Sequence, residues 1–296
     1  MKRLLCLAFT ALSICFCSLS QAVTVQDSKG NFTLNYIPQR IVVLEFSFAD
    51  ALASVNVSPI GIADDKDPER VLKQVRDVIG KWQSVGTRSQ PSLEVISSLK
   101  PDLIIADIGR HEGVYEDLKK IAPTLILPSR RETYEDNLKA AAVIGKVVGK
   151  DQEMTARLAE HKNIMKHYAA QLPKDIGVQF VVARADDLFM HPANSYAGGV
   201  IKALGLKNPS LEKDDKQSSR QIGLEQLLAI NPDYLIVGTY VSPNIIDKWE
   251  KEPLWSVLKV ARNQHVFKVN GNVWSRCRGI MAAESIAEDL TKIFTP

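Results

Sequence analysis

The sequence predicts an α/β fold in two lobes joined by one long helix. Three observations predict it. Short apolar runs alternate with helical patterns along the chain. One helical pattern, over residues 151–172, runs without a break. One segment occurs twice, once on each side of that helix.

The chain has 296 residues and a net charge of +3, with 45% apolar and 24% charged residues. That length suits two modest cores better than one. The near-neutral balance, with no long basic run, argues against a nucleic-acid surface. Lys2 and Arg3, then an apolar stretch from Leu4 to Leu19, then Ser20-Gln21-Ala22, have the layout of a signal peptide over 1–22. Export to the periplasm with cleavage after Ala22 is expected. A short membrane anchor fits less well, because the stretch is barely long enough to span. A lipoprotein would use Cys15 or Cys17, and the bulky Ile14 and Phe16 before them argue against it. Cys6, Cys15 and Cys17 leave with the leader, so the mature chain keeps only Cys277 and has no disulfide.

In the mature chain, Arg40–Leu44, Pro59–Ile62, Asp102–Ala106 and Thr124–Leu127 read as strands. Their continuous apolar runs indicate a mostly parallel sheet covered on both faces. A helical stretch at Phe48–Val55 separates the first two. Residues 132–149 read as a helix with Gly149 as its C-cap. The next helix, 151–172, starts at Asp151 as a capping residue and stops at Pro173. Beyond it come strands at 178–182, 234–237 and 266–269, and helices near 197–204 and at 279–294. The expected division is an N-terminal lobe over 23–150, a linker helix over 151–172 and a C-terminal lobe over 173–296.

The repeat is the strongest internal signal. Leu93-Glu94, six residues, then Pro101-Asp102-Leu103-Ile104-Ile105 recurs as Leu224-Glu225, six residues, then Pro232-Asp233-Tyr234-Leu235-Ile236. Each copy reads as a short helix feeding a buried strand through a Pro-Asp turn. Two copies flanking a long helix imply two Rossmann-like lobes with a cleft between them.

Enzyme signatures are missing: no phosphate-binding loop, no dinucleotide fingerprint, no nucleophile elbow. His161 and His167 stand six apart on the linker helix and face different ways. None of the five histidines pairs with a carboxylate or Cys at metal-ligand spacing. His191 follows a strand expected to end at the cleft. Arginine is more informative. Arg88, Arg110, Arg130, Arg184, Arg220 and Arg276 all fall in loops, most of them after a strand or before a helix. Open α/β sheets bind ligands at the carboxyl ends of their strands. The guanidinium fork suits carboxylates, so an anionic, polycarboxylate solute is expected. A single loop Arg is more simply solvated surface charge; the set is harder to explain that way. Glu94 and Glu225 each open a helix, where the dipole alone favours a carboxylate. Their matching places also suit two acidic knobs docking a two-fold partner.

The chain resembles the periplasmic binding proteins of the iron-siderophore and cobalamin importers, and within them those that bind ferric dicitrate. The likeness is carried by the Leu-Glu-x6-Pro-Asp entry in both lobes with a long helix between. It extends through Pro38–Glu45, Ser47–Ala53, Pro59–Asp65, Trp82-Gln83-Ser84-Val85-Gly86-Thr87-Arg88 on to Asp107, and Ile222–Ala229. Tyr196 departs from the pattern by standing where a Trp is expected. The resemblance implies a helical-backbone binding protein, a carrier and no enzyme. It implies a monomer without a cofactor, whose cargo is Fe(III) held by citrate and whose partner is an inner-membrane ABC permease dimer. It also implies site residues. Arg88 and Arg110 face the chelate from one lobe; Arg184, Tyr196, Trp274 and Arg276 close on it from the other. Glu94 and Glu225 dock on the permease. Alternatives are another ferric siderophore or haem as cargo, or an α/β enzyme on the same scaffold.

Overall fold

The computed structural model describes residues 22–209 and 218–295. The expected signal peptide therefore lies outside the described residues, apart from Ala22. No described helix is long and apolar enough to cross a membrane.

A hairpin of β1 (Val23–Asp27) and β2 (Gly30–Leu34) precedes the first sheet. That sheet comprises β3 (Ile41–Val43), β4 (Gly61–Ile62), β5 (Gln83–Ser84), β6 (Leu103–Asp107) and β7 (Thr124–Leu127). Its order is β5-β4-β3-β6-β7, and every pairing is parallel. The second sheet comprises β8 (Val178–Ala183), β9 (Leu188–Met190), β10 (Arg220–Ile222), β11 (Tyr234–Thr239) and β12 (Val266–Asn270). Its order is β10-β9-β8-β11-β12. β8, β11 and β12 are parallel, while β9 runs antiparallel to both neighbours. The two sheets thus share one spatial order, with the reversal of winding between β3 and β6 in one and between β8 and β11 in the other. In a doubly wound sheet that reversal opens the crevice where ligands bind.

The repeat seen in the sequence occupies equivalent places. Helix Leu93–Ser98 feeds β6, and helix Leu224–Ile230 feeds β11. Each strand sits fourth in its sheet. Leu103, Ile104, Ile105 and Ala106 are completely buried, because helices cover both faces. Burial of such side chains contributes about 1.5–3 kcal/mol each for the larger ones.

Three helices join the lobes. Helix Tyr134–Val147 ends at Gly149, whose φ of +70° is the left-handed conformation that suits glycine. The linker helix follows at Asp151–Gln171. Its N-cap is Lys150, so Asp151 is the first helical residue and favours the dipole from there, correcting the capping role expected of it. Only Met154, His161 and Met165 of this helix are buried. His161 hydrogen-bonds the Tyr134 hydroxyl through Nε2 and Glu284 Oε1 through Nδ1 at 2.8 Å, while Arg157 donates to Glu284 Oε2 at 2.7 Å.

The third is the C-terminal helix, Ile280–Phe294, which reaches back into the first lobe. Asp50, on the first-lobe helix Phe46–Ala53, accepts hydrogen bonds from the backbone N–H of Met281 and Ala282, both at 3.1 Å. A Cβ at Gly279 would stand 2.1 Å from Asp50 Cγ, so the approach requires glycine. Ile280 and Ala282 pack into the same core as Phe46, Leu52 and Ile144. Burial raises the Asp50 carboxyl to about 6, against the pull of the helix N–H groups.

Candidate functional site

The crevice is built at the strand ends where both sheets reverse. Glu45 follows β3 by two residues, and Arg88 follows β5. Gly109-Arg110 begins where β6 ends, and Arg130 stands just beyond β7. From the second lobe, Arg184 follows β8 directly, Tyr240 follows β11, and a tight π-helical turn, Val273–Cys277, follows β12. Together these segments enclose a cavity of about 350 Å³.

Seven arginines line it: Arg88, Arg110, Arg130, Arg131, Arg184, Arg276 and Arg278. They fall into two groups. Arg88, Arg110 and Arg278 form a floor held by carboxylates. Glu45 is fully buried beneath them, pairing with Arg110 Nε through Oε1 and with Arg278 Nη2 through Oε2 at 2.7 Å. Arg88 Nη1 lies 3.5 Å from the same Oε2. Asp65, in the left-handed conformation at φ +61°, accepts the Arg88 backbone N–H at 2.9 Å and its Nη2 at 2.8 Å. Burial alone would raise both acids. The Arg278, Arg88 and Arg110 charges overrule it at Glu45, and the Arg88 hydrogen bond and charge take Asp65 down to about 2. Arg88 also lies over the Phe46 ring at 4.1 Å.

The second group faces the cavity without a carboxylate partner among the described residues: Arg130, Arg131, Arg184 and Arg276. In the second lobe aromatic faces hold them. Arg184 lies over Phe189 at 4.5 Å, and Arg276 over Tyr240 at 4.0 Å. A stacked guanidinium keeps its N–H edge free for an incoming acceptor. Arg276 spends one donor on Asn272 Oδ1 at 2.9 Å. Burial and then neighbouring arginines disfavour the cationic form of Arg130, yet arginine remains protonated in such settings. Among the described residues, Glu45, Asp65, the buried Asp107 and the lining residue Glu132 stand against seven guanidinium groups, leaving an excess of about three positive charges.

Two histidines support the floor. His111 is fully buried; its Nδ1 accepts the Asp107 backbone N–H at 2.9 Å, so its Nε2 carries the proton and donates to the Arg88 carbonyl at 2.8 Å. Burial holds it neutral. His191 lines the cavity beside Phe180, with ring centroids 4.9 Å apart; burial, and then Arg278, lowers it to about 4.

The structure places Arg88, Arg110, Arg184, Tyr196, Trp274 and Arg276 around this one cavity. Their exposure differs. Arg184 is exposed, whereas Tyr196 and Trp274 are 4% and 0% exposed. Tyr196 donates to the Gly279 carbonyl and Trp274 to Asp289 Oδ2 at 2.9 Å, so both polar ends are satisfied inside the protein. They form an apolar bed under the cavity. Arg220 lies on the second sheet's edge strand β10, paired with Met190 of β9, and does not line the cavity. Glu94 and Glu225 lie elsewhere, exposed in the first turns of their helices and without an ion pair among the described residues. Sequence reasoning missed Glu45, Asp65, Arg131, Arg278 and the aromatic partners Phe189 and Tyr240. A Glu directly after an apolar strand, as in Val42-Val43-Leu44-Glu45, was the available signal for the first.

Among the described residues, no group of three or more His, Cys, Asp or Glu side chains is placed to hold a metal ion. The donor set is guanidinium and hydroxyl, suited to an acceptor-rich anion.

Residues 41–272 match the model of a family described as periplasmic binding protein. The chain is 54% identical to the Fe(3+) dicitrate-binding periplasmic protein FecB of Escherichia coli (strain K12), over 92% of this chain and 90% of that one. It is 42% identical to the Fe(3+)-citrate-binding protein YfmC of Bacillus subtilis (strain 168), over 90% of this chain and 84% of that one. Among solved structures it is similar to Staphylococcus aureus SirA complexed with staphyloferrin B, with a TM-score of 0.78 at 23% identity, covering 92% of this chain and 98% of the other. That last likeness concerns the fold.

Proposed function

The chain belongs to the periplasmic binding protein family, and from that membership we propose that it captures Fe(III) dicitrate and delivers it to an inner-membrane ABC permease for iron uptake. The observation that carries this reading is the cleft's excess of arginine at the junction of two lobes. The iron is cargo and keeps citrate as its ligand. The protein grips the outer carboxylate oxygens, which the planar guanidinium fork fits with paired, charge-assisted hydrogen bonds. Arg184 and Arg276 approach from one lobe and Arg110 and Arg130 from the other, so the chelate joins the lobes. Trp274 and Tyr196 supply the apolar bed. The carrier performs no chemistry on its cargo.

Export proceeds by cleavage after Ala22, and the mature protein acts as a monomer with lobes at 23–150 and 173–296 about the linker helix 151–172. Delivery uses Glu94 and Glu225 as one acidic knob per lobe, matched to basic pockets on a two-fold permease dimer. Their exposure, with no ion pair among the described residues, supports that use. Lobe movement on binding is small, because helices and the Asp50 cap tie the lobes together.

Titrating the intrinsic tryptophan fluorescence with ferric dicitrate, citrate, haem and cobalamin tests the cargo. Ferric dicitrate binds tightest; tighter binding of any rival defeats the proposal. Glu94→Ala with Glu225→Ala leaves that titration unchanged and abolishes uptake in cells. Loss of solution binding in the pair would show that these residues serve the cleft or the fold instead.

A further inference from the structure

We propose that Glu45 is the cleft's resident counter-anion: it neutralises the arginine floor in place of cargo charge, keeps the empty cleft folded, and sets how strongly the cleft attracts anions. The inference rests on the reading of the cleft as an anion site and names a residue that tunes it.

The position is telling. Glu45 is the N-cap residue of helix Phe46–Ala53, where shorter side chains such as Asp or Ser accept from the helix N–H groups. Here the side chain makes no capping hydrogen bond. It turns instead under the cavity and spends both oxygens on guanidinium groups from three separate segments: Arg110 after β6, Arg278 before the C-terminal helix, and Arg88 after β5. Two of these arginines are themselves at least nine-tenths buried, Arg88 at 5% and Arg278 at 7% exposed. Arg88 Nη1 and Arg278 Nε are buried without a hydrogen-bond partner among the described residues. The floor therefore holds more cation than Glu45 can satisfy; of the floor arginines Asp65 relieves only Arg88, and it shares its Oδ2 with Arg70.

A bound anion and Glu45 then address the same charges from opposite sides. Linkage follows: whatever Glu45 neutralises, the cargo no longer needs to. Removing the Glu45 charge destabilises the empty protein, because buried cations lose their partner. It also raises the stabilisation that any anion brings, since ligand binding shifts apparent stability according to its preference for the folded state. A role confined to packing would lower stability and leave the ligand's contribution unchanged.

The test compares wild type with Glu45→Gln, which keeps the shape and removes the charge, and with Glu45→Asp, which keeps the charge and shortens the reach. Thermal unfolding is followed without ligand, then with iron-free citrate, then with sodium sulfate. Glu45→Gln melts lower than wild type when empty, gains more from citrate and sulfate than wild type does, and binds citrate on the order of tenfold more tightly. Glu45→Asp falls between the two. Glu284→Gln, which removes the carboxylate that Arg157 and His161 contact outside the cavity, melts lower with the wild-type citrate increment. An increment in Glu45→Gln equal to or smaller than that of wild type overturns the proposal. Should Glu45→Gln fail to fold under every condition, the increment in Glu45→Asp decides in the same way. Wild-type protein that ignores ferric dicitrate defeats the cargo reading, whereas the difference between variants in citrate and sulfate decides the role of Glu45.

Discussion

The two lobes order their strands alike and hold their arginines differently. In the first lobe, Arg88 and Arg110 rest on the buried acids Glu45 and Asp65. In the second, Arg184 and Arg276 rest on the rings of Phe189 and Tyr240. A carboxylate fixes a guanidinium and cancels its charge; an aromatic face fixes it and leaves most of the charge for a ligand. Most of the rigid, largely neutralised floor thus comes from the first lobe, with Arg278 added from the second, and the spare charge is shared between Arg184 and Arg276 of the second lobe and Arg130 and Arg131 of the first. The sheets differ in the same sense. The first is wholly parallel, whereas the second turns back at β9 through the short loop after Ala183, which is where Arg184 stands.

The comparison breaks first, and most visibly, at the second-lobe pair. Arg184→Ala with Arg276→Ala weakens ferric dicitrate binding by about 100-fold or more, since a charge-assisted hydrogen bond contributes about 1.5–3 kcal/mol. The free energy of urea unfolding falls by only about 1–2 kcal/mol, the size of the two cation–π contacts that are lost. A comparable loss of stability would erase the distinction between the lobes.

Arg88→Ala does the reverse. It strips Asp65 of its main partner and Glu45 of one of three. Glu45 keeps Arg110 and Arg278 and Asp65 keeps Arg70 at 3.4 Å, so the cost is that of lost charge-assisted hydrogen bonds, about 1.5–3 kcal/mol, read as a drop in the denaturation midpoint. A fully stable variant would mean that Glu45 and Asp65 do not anchor the floor arginines.

The junction between the lobes gives a pH test. Asp50 has its carboxyl raised from 3.8 to about 6, so its ionised form is disfavoured in the folded state. Its contribution is fully present below pH 4 and is lost as pH rises through 6. The free energy of unfolding of wild type, relative to Asp50→Asn, therefore falls by about 3 kcal/mol between pH 4 and pH 7. A difference that stays flat across that range would show that the helix N–H groups hold Asp50 ionised after all. The smallest effect belongs outside the cleft. Glu94→Ala or Glu225→Ala costs under about 1 kcal/mol of stability, the size of a helix-dipole term. A larger loss in one lobe only would end the equivalence of the two knobs.

Much of the fold was legible because the buried strands leave an unbroken apolar trace. Leu103–Ala106 and Val178–Val182 are read at sight, and the Pro-Asp entry marks the matching strand in each lobe. The hairpin β1–β2 and the short strands β5, β9 and β10 were not legible. Gln83–Ser84 and Arg220–Ile222 are too short and too polar to show a period, and pairing with a neighbour defines them. In the site, loop arginines were visible as a set, while their division into neutralised and free was not. Arg88 and Arg184 look alike in the chain and differ only in what lies against them.

The sequence by itself determined the alternation of strand and helix, the doubled design, the long helix between the halves and the richness of loop arginine. Local apolar pattern and turn chemistry carry that information, and they act between near neighbours. Only the tertiary structure decided that Glu45, Arg110 and Arg278 meet under one cavity, that Asp50 caps a helix more than two hundred residues away, and that Arg276 lies flat on Tyr240. Those contacts depend on which strand ends the winding brings together, and charge balance in a buried site is a property of the assembled neighbours.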